Sequence, residues 1–306
     1  MSEYKVDAKM WWLLFIIPVM FVTGYFRDRR RAGPAKARRS LLFGIVGIAS
    51  MYCLVLIALI SLENKLLFQP VSFENRNIQS PGLHYLPVSF PSSDGNTIAG
   101  WWCRQADADW TILYCHGTGG NLSLQTTFVP MMQQFFKVNV LAFGYPGYSG
   151  STGTPSEAGC YASSEAAYDW LLSEKKINPK RLILFGQSMG GGVACNLALK
   201  KPHAGLILLS TFTTLPERAQ ELIPIFPINW LMKNRFDNRT KLSQYTGPLL
   251  VAHGDNDDVV PFHHSEELFA VAASPHKEFC HMTGATHVVF NDDFMRRVAA
   301  MIASLP

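Results

Sequence analysis

The stretch from Arg181 to Lys200 constrains the fold more than any other. An uninterrupted apolar strand pattern, Arg181-Leu182-Ile183-Leu184-Phe185, runs through Gly186-Gln187-Ser188-Met189-Gly190-Gly191 into an Ala- and Leu-rich helix pattern beginning at Met189. G-x-S-x-G in that setting is a sharp strand-to-helix turn that lifts the serine hydroxyl above a sheet edge. Gly186 and Gly190 remove side chains that would collide across the turn, and Gly191 and Gly192 let the helix lie close to neighbouring strands. A glycine-rich turn can also hold an incidental serine, so what matters is whether the rest of the chain supplies partners for Ser188.

The chain from about Leu66 to Pro306 alternates apolar strands with helices, which predicts a single α/β domain of roughly 240 residues with a mainly parallel sheet. An antiparallel hairpin is expected over His84–Phe90 and Thr97–Arg104. Further strands are expected at Thr111–Cys115, Val138–Phe143, Arg181–Phe185, Gly205–Leu209, Leu249–Ala252 and Lys277–His281. Helices are expected at Ser156–Ser173, Met189–Lys200, His264–Ala273 and Asp292–Ser304. Residues 211–246, with Pro216, Pro224 and Pro227 among apolar residues, break the alternation. They form either a lid over a site, with Phe226 or Trp230 facing an apolar substrate, or a plain surface excursion docked on the core.

A serine hydroxyl needs a base, and the base needs a group that fixes its tautomer. Beyond the strand at Leu249–Ala252 lies His253-Gly254-Asp255-Asn256-Asp257-Asp258-Val259-Val260-Pro261. Beyond the last strand lies Gly284-Ala285-Thr286-His287. Both loops leave the carboxyl ends of strands, where the Ser188 turn also opens, and the order serine, acid, histidine is one that accompanies such a turn. Spacing alone leaves Asp255, Asp257 and Asp258 open as the acid. His287 is the expected base; His263, His264, His276 and His281 fall on helix or strand patterns and are expected to be structural or exposed. Two backbone N–H groups should stabilise an oxyanion: that of Met189, after the serine, and one from His116-Gly117-Thr118-Gly119-Gly120-Asn121, with Thr118 the best placed. The same loop lacks the Lys-Ser/Thr that a phosphate-cradling loop requires.

Four segments occur in order: His116–Asn121; Gly144-Tyr145-Pro146-Gly147-Tyr148-Ser149-Gly150-Ser151 with Pro155-Ser156-Glu157; Gly186–Gly191; and His253-Gly254 … Asp257 … Val259-Val260-Pro261. As a set they resemble the membrane-anchored serine hydrolases of the α/β-hydrolase-domain (ABHD) family, in the branch related to the yeast bud-emergence protein. The likeness covers most of residues 66–306, including Arg235-Phe236-Asp237. It implies an α/β-hydrolase fold with a short helical cap. It also implies Ser188, Asp257 and His287 as the triad, since the family's acid is the aspartate of an H-G-x-x-D-x-V-x-P run. The chain departs from the family pattern at Thr118-Gly119, often Asn-Ala, and at Pro146, often Arg. No metal or organic cofactor is implied.

The N-terminus is of another character. A mean hydropathy of +0.09 is high for a soluble chain, and the excess sits in two uncharged segments, Met10–Phe26 and Leu41–Leu62. The second is long enough to span a bilayer; the first lies at the lower limit and is interrupted by Pro18. Between them, residues 27–39 carry seven basic residues and one acidic, which predicts a cytosolic loop. One or two transmembrane helices over residues 1–65 would then place the hydrolase domain, 66–306, outside the cytosol and against a lipid bilayer. Residues 66–306 hold 17 Lys and Arg against 19 Asp and Glu. The overall charge of +4 is therefore a property of the N-terminus and gives no reason to expect a nucleic-acid partner. The cysteines show no C-x-x-C pair, which argues against a zinc site of that type; most are expected to be buried thiols, although a disulfide is open to an extracytoplasmic domain. The expected activity is acyl transfer to water from lipid-like esters or thioesters. A serine peptidase on the same fold and a non-catalytic membrane scaffold are the alternatives.

Overall fold

The computed structural model describes residues 33–70, 82–119, 121–287 and 289–306, with single positions at 23, 25, 27 and 29. The chain divides into two compact units, Met1–Leu62 and Glu63–Pro306. The first expected apolar segment, 10–26, lies outside the described residues apart from Thr23 and Tyr25.

Within the N-terminal unit, helix α1 runs over Pro34–Ser61, 28 residues whose apolar side chains are exposed, including Leu42, Phe43, Ile45 and Leu54. At 1.5 Å per residue it is about 42 Å long, more than a hydrocarbon core requires. By length and composition it is the one helix among the described residues able to cross a membrane. It begins earlier than the apolar run. Pro34 occupies the first turn, where its missing N–H costs nothing, and Ala-Lys-Ala-Arg-Arg continues with good helix formers. Lys36, Arg38 and Arg39 are therefore helical, where a loop had been expected.

The second unit is built on one eight-stranded sheet: β1 Leu86–Pro91, β2 Thr97–Cys103, β3 Trp110–Cys115, β4 Val138–Phe143, β5 Leu182–Gln187, β6 Gly205–Leu209, β7 Leu249–Gly254 and β8 Lys277–Met282. Its order is β1-β2-β4-β3-β5-β6-β7-β8. The first two pairings are antiparallel and the rest parallel, in register from Thr111 opposite Leu182 to Gly254 opposite Met282. The central strands are buried on both faces, which is why they read as continuous apolar runs.

Period-two geometry sends alternate side chains into two separate cores. Leu113, Cys115, Leu182 and Leu184 face one, covered by α4 (Glu157–Ser173), α5 (Met189–Lys200) and α9 (His263–Val271). Ile112, Tyr114, Ile183 and Phe185 face the other, covered by α3 (Phe128–Phe136) and α10 (Asp292–Ser304). Side-chain caps start several of these helices: Ser156 accepts from Gly159 N, and Asn291 from Phe294 N at 2.9 Å. Helix α3 was absent from the expected elements. The region after β6 folds into three short helices, α6 (Leu215–Leu222), α7 (Ile228–Leu231) and α8 (Asn238–Leu242). One further helix, α2 (Glu63–Leu67), opens this unit.

Candidate active site

Strand β5 ends at Gln187, and Ser188 turns the chain into α5 with φ 53° and ψ −122°, a conformation that costs a non-glycine residue on the order of 1–3 kcal/mol. The neighbourhood holds it there. Ser188 N donates to Leu209 O at 2.9 Å, Thr211 Oγ1 donates to Ser188 O at 2.7 Å, and Gln187 is hydrogen-bonded to Tyr114 on the adjacent strand. Gly190 has no room for anything larger, because a Cβ there would lie 2.0 Å from Cys115 O.

The β3–α3 loop passes directly beside the serine: a Cβ on Gly117 would sit 3.3 Å from Ser188 Cβ and 3.8 Å from its Oγ. Two tyrosines fix this loop by its carbonyls. Tyr145 donates to His116 O at 2.8 Å, and Tyr148 donates to Thr118 O at 3.0 Å. With Tyr148 OH also accepting from Gln69 N at 2.9 Å, and Gln69 pairing with Gly119 in a parallel bridge, the loop is clamped from outside the sheet. His116 itself is a packing residue. It lies 4.5 Å from the Tyr145 ring, and burial pushes its imidazole down to about 4 although Nδ1–H donates to Gly117 O.

Asp257, in the loop after β7, is buried and fully engaged. Its Oδ1 accepts from Val259 N at 2.8 Å and Val260 N at 2.9 Å, and its Oδ2 lies 2.6 Å from His287 Nδ1 and 3.0 Å from His253 Nε2. Burial works against the carboxylate, but the bonds from His253 and His287 and the backbone donor of Val260 overcome it and hold the carboxyl well below its usual range. An ionised Asp257 fixes His287 with Nδ1 protonated, leaving Nε2 as the basic nitrogen. The competing acids are placed elsewhere. Asp255 takes His281 Nε2 at 2.9 Å and Gly284 N at 2.6 Å, while Asp258 is exposed.

The structure thus brings Asp257 and His287 together and sets the 116–119 loop against Ser188. No hydrogen bond joins Ser188 to His287 among the described residues; such contacts are often long before substrate binds. Met189, the expected second oxyanion donor, is the first residue of α5 with its side chain buried. Of the expected cap residues, Phe226 is half-buried, whereas Trp230 projects into solvent at 90% exposure because Ile228 takes the inward position of that short helix.

His253 is a positioning residue to which the sequence assigned no role. It is fully buried, donates from Nε2 to Val260 O at 2.8 Å as well as to Asp257, and is bonded at Nδ1 to Ser265 Oγ. It therefore fixes the acid loop from below. Its only sequence signal was a histidine-glycine pair ending a strand.

Strand order, an elbow at β5, an acid after β7 and a histidine after β8 together define an α/β-hydrolase framework. A family model described as the alpha/beta hydrolase fold matches residues 111–231, and one described as serine aminopeptidase, S33, matches residues 228–293. An uncharacterized protein of Mycobacterium tuberculosis, MT2364, is 33% identical over 202 residues, covering 65% of this chain and 71% of its own. Protein bem46 of Schizosaccharomyces pombe is 27% identical over 290 residues, covering 86% and 95%. In fold, the chain is similar to the Pyrococcus furiosus esterase Pf2001, with a TM-score of 0.65 and 20% identity over 78% of this chain and 97% of that one. The chain belongs to the α/β-hydrolase-fold family, in the ABHD branch related to the bud-emergence protein, as the sequence motifs had indicated.

Proposed function

We propose that this chain is a membrane-tethered serine hydrolase that cleaves carboxylic esters or thioesters of lipid-like acyl substrates. The observation that carries the reading is the buried Asp257–His287 pair at 2.6 Å, set at the same sheet edge as the strained Ser188. His287 Nε2 removes the hydroxyl proton as Ser188 Oγ attacks the carbonyl carbon, and Asp257 stabilises the resulting imidazolium. The N–H groups of Met189 and Thr118 receive the oxyanion. Collapse of the tetrahedral adduct expels the alcohol or thiol, protonated by His287, and leaves an acyl-enzyme. Water, deprotonated by His287, then releases the acid and restores Ser188.

The tether in this reading is α1, with residues 27–39 on the cytosolic side and everything after Leu62 outside the cytosol. A second reading, amide cleavage, draws on the serine aminopeptidase model, whose match spans both Asp257 and His287. Both readings are tested by presenting the purified chain with a panel of acyl esters, thioesters and aminoacyl amides. Turnover of esters of medium or long acyl chains, lost by about 10⁴-fold or more in Ser188→Ala, is expected. Preferential cleavage of amides would replace the ester reading by the peptidase one, and turnover undiminished in Ser188→Ala would refute both.

A further inference from the structure

Away from Ser188, the cap carries a cluster whose chemistry the hydrolytic reaction does not use. Glu221, on the last turn of α6, faces the first two residues of α9. Its Oε1 lies 3.1 Å from His263 Nε2, and its Oε2 lies 3.3 Å from His264 Nε2. The two imidazoles are stacked, with centroids 4.5 Å apart, and one donor atom from each of the three residues falls within 4.8 Å of the others. The cluster opens into a cavity of about 260 Å³ lined by Thr213, Glu217, Glu221, Arg239, His263 and His264 among others.

We propose that Glu221, His263 and His264 form a divalent-metal site of the zinc type, with a cavity water completing four-coordination. Two imidazole nitrogens and a carboxylate oxygen are a donor set that suits zinc; calcium takes six to eight oxygens. Bonds of about 2.0–2.1 Å in a tetrahedron need ligand-to-ligand edges of about 3.3 Å. His263 Nε2 and His264 Nε2 lie 3.1 and 3.3 Å from the two different oxygens of Glu221, so the exposed His263 ring and the carboxylate must draw in from their 4.8 Å spread to share one ion.

The surroundings supply the outer hydrogen bonds that such ligands require. His264 Nδ1 is 2.8 Å from Thr213 Oγ1, which donates to Glu217 Oε2 at 2.6 Å, so an Nδ1–H can be accepted by the hydroxyl while Nε2 turns a lone pair to the metal. Nε2 lies 3.3 Å from Glu221 Oε2, the side on which the metal would sit. Arg218 holds Glu221 Oε2 at 3.0 Å, and its Nε donates to Val259 O in the Asp257 loop. Arg239 is engaged by Glu217 and Glu267, so three carboxylates face two guanidiniums and the site keeps a net negative charge for a cation. An ion here ties cap helix α6 to α9 and, through Arg218, braces the acid loop.

The test is equilibrium dialysis of the full chain, in detergent and without a polyhistidine tag, against Zn²⁺ with elemental analysis. It is repeated with Co²⁺ to read the visible absorption of a four-coordinate ion. One equivalent per chain is expected, together with a rise in Tm. Affinity should fall by more than about tenfold in His263→Ala and in Glu221→Gln, and stay unchanged in His287→Ala. His263 is exposed, so its removal leaves the fold intact, as circular dichroism will verify. Substoichiometric binding by the parent, retention by both cap variants, or loss in His287→Ala would each overturn the assignment. None of these readouts depends on hydrolytic activity.

Discussion

At the scale of single residues, the site is held by contacts too close to vary. Gly190→Ala places a methyl group 2.0 Å from Cys115 O, in backbone that cannot retreat because β3 is paired on both sides. Its expected cost is more than about 4 kcal/mol by urea unfolding, and a loss below about 1 kcal/mol would contradict the packing described. Asp257→Asn should lower kcat/KM by about 10⁴-fold through loss of the correct His287 tautomer, with Asp255→Asn and Asp258→Asn within about tenfold of the parent. The same variant carries a pH signature. The folded-state carboxyl lies below its unfolded value of about 3.9, so its stabilisation is complete above that pH and is lost as pH falls through the folded value. The stability gap between parent and Asp257→Asn, followed by thermal melts from about pH 6 downwards, should therefore shrink below about pH 4; a gap independent of pH would contradict it. In the sequence a motif and a strand exit mark Ser188 and His287. Spacing left three nearby aspartates open and only the family resemblance pointed to Asp257; in the fold it is the one that lies under Val259 and Val260 and reaches His287 across 30 positions.

At the scale of elements, the segment just after the apolar helix belongs to the α/β-hydrolase unit. The Glu63 carboxylate accepts from Lys233 N, Asn234 N and Asn234 Nδ2. Phe68 packs edge-on to Phe236, and Gln69 reaches the 116–119 loop through Tyr148. A chain starting at Glu63 should fold and retain activity. One starting at residue 71 should lose roughly 6 °C or more of Tm and a measurable part of kcat/KM, because Phe68 burial and the Tyr148 clamp are removed. Equal stability of the two truncations would refute this role. From sequence the domain began near residue 66, since contacts linking Glu63 to Asn234 leave no local pattern. Helix α3 was hidden by Pro130, which reads as a breaker; placed in the first turn it lacks only an N–H the helix does not use, and Val129, Met132 and Phe136 still form a buried stripe. All eight strands, by contrast, were legible, because burial on both faces or in a hairpin leaves apolar runs bounded by turn residues.

At the scale of the whole molecule, a charge imbalance and an apolar helix set the expected topology. With Lys36, Arg38 and Arg39 at the start of α1, the positive flank sits on the N-terminal side of the span. Alkaline phosphatase fused after Pro306 should be active in a bacterial host, and a fluorescent-protein fusion dark; the reverse pattern would place the hydrolase unit in the cytosol. The five cysteines of that unit are all free and buried, so the disulfide left open by the sequence is not formed. The central claim, that Ser188 is an activated nucleophile, is tested most directly by exposing the full chain to a fluorophosphonate and locating the adduct by peptide mass spectrometry. One adduct is expected, on the peptide bearing Ser188, and none in Ser188→Ala. Folded parent protein left unlabelled, or Ser188→Ala labelled equally, would contradict it.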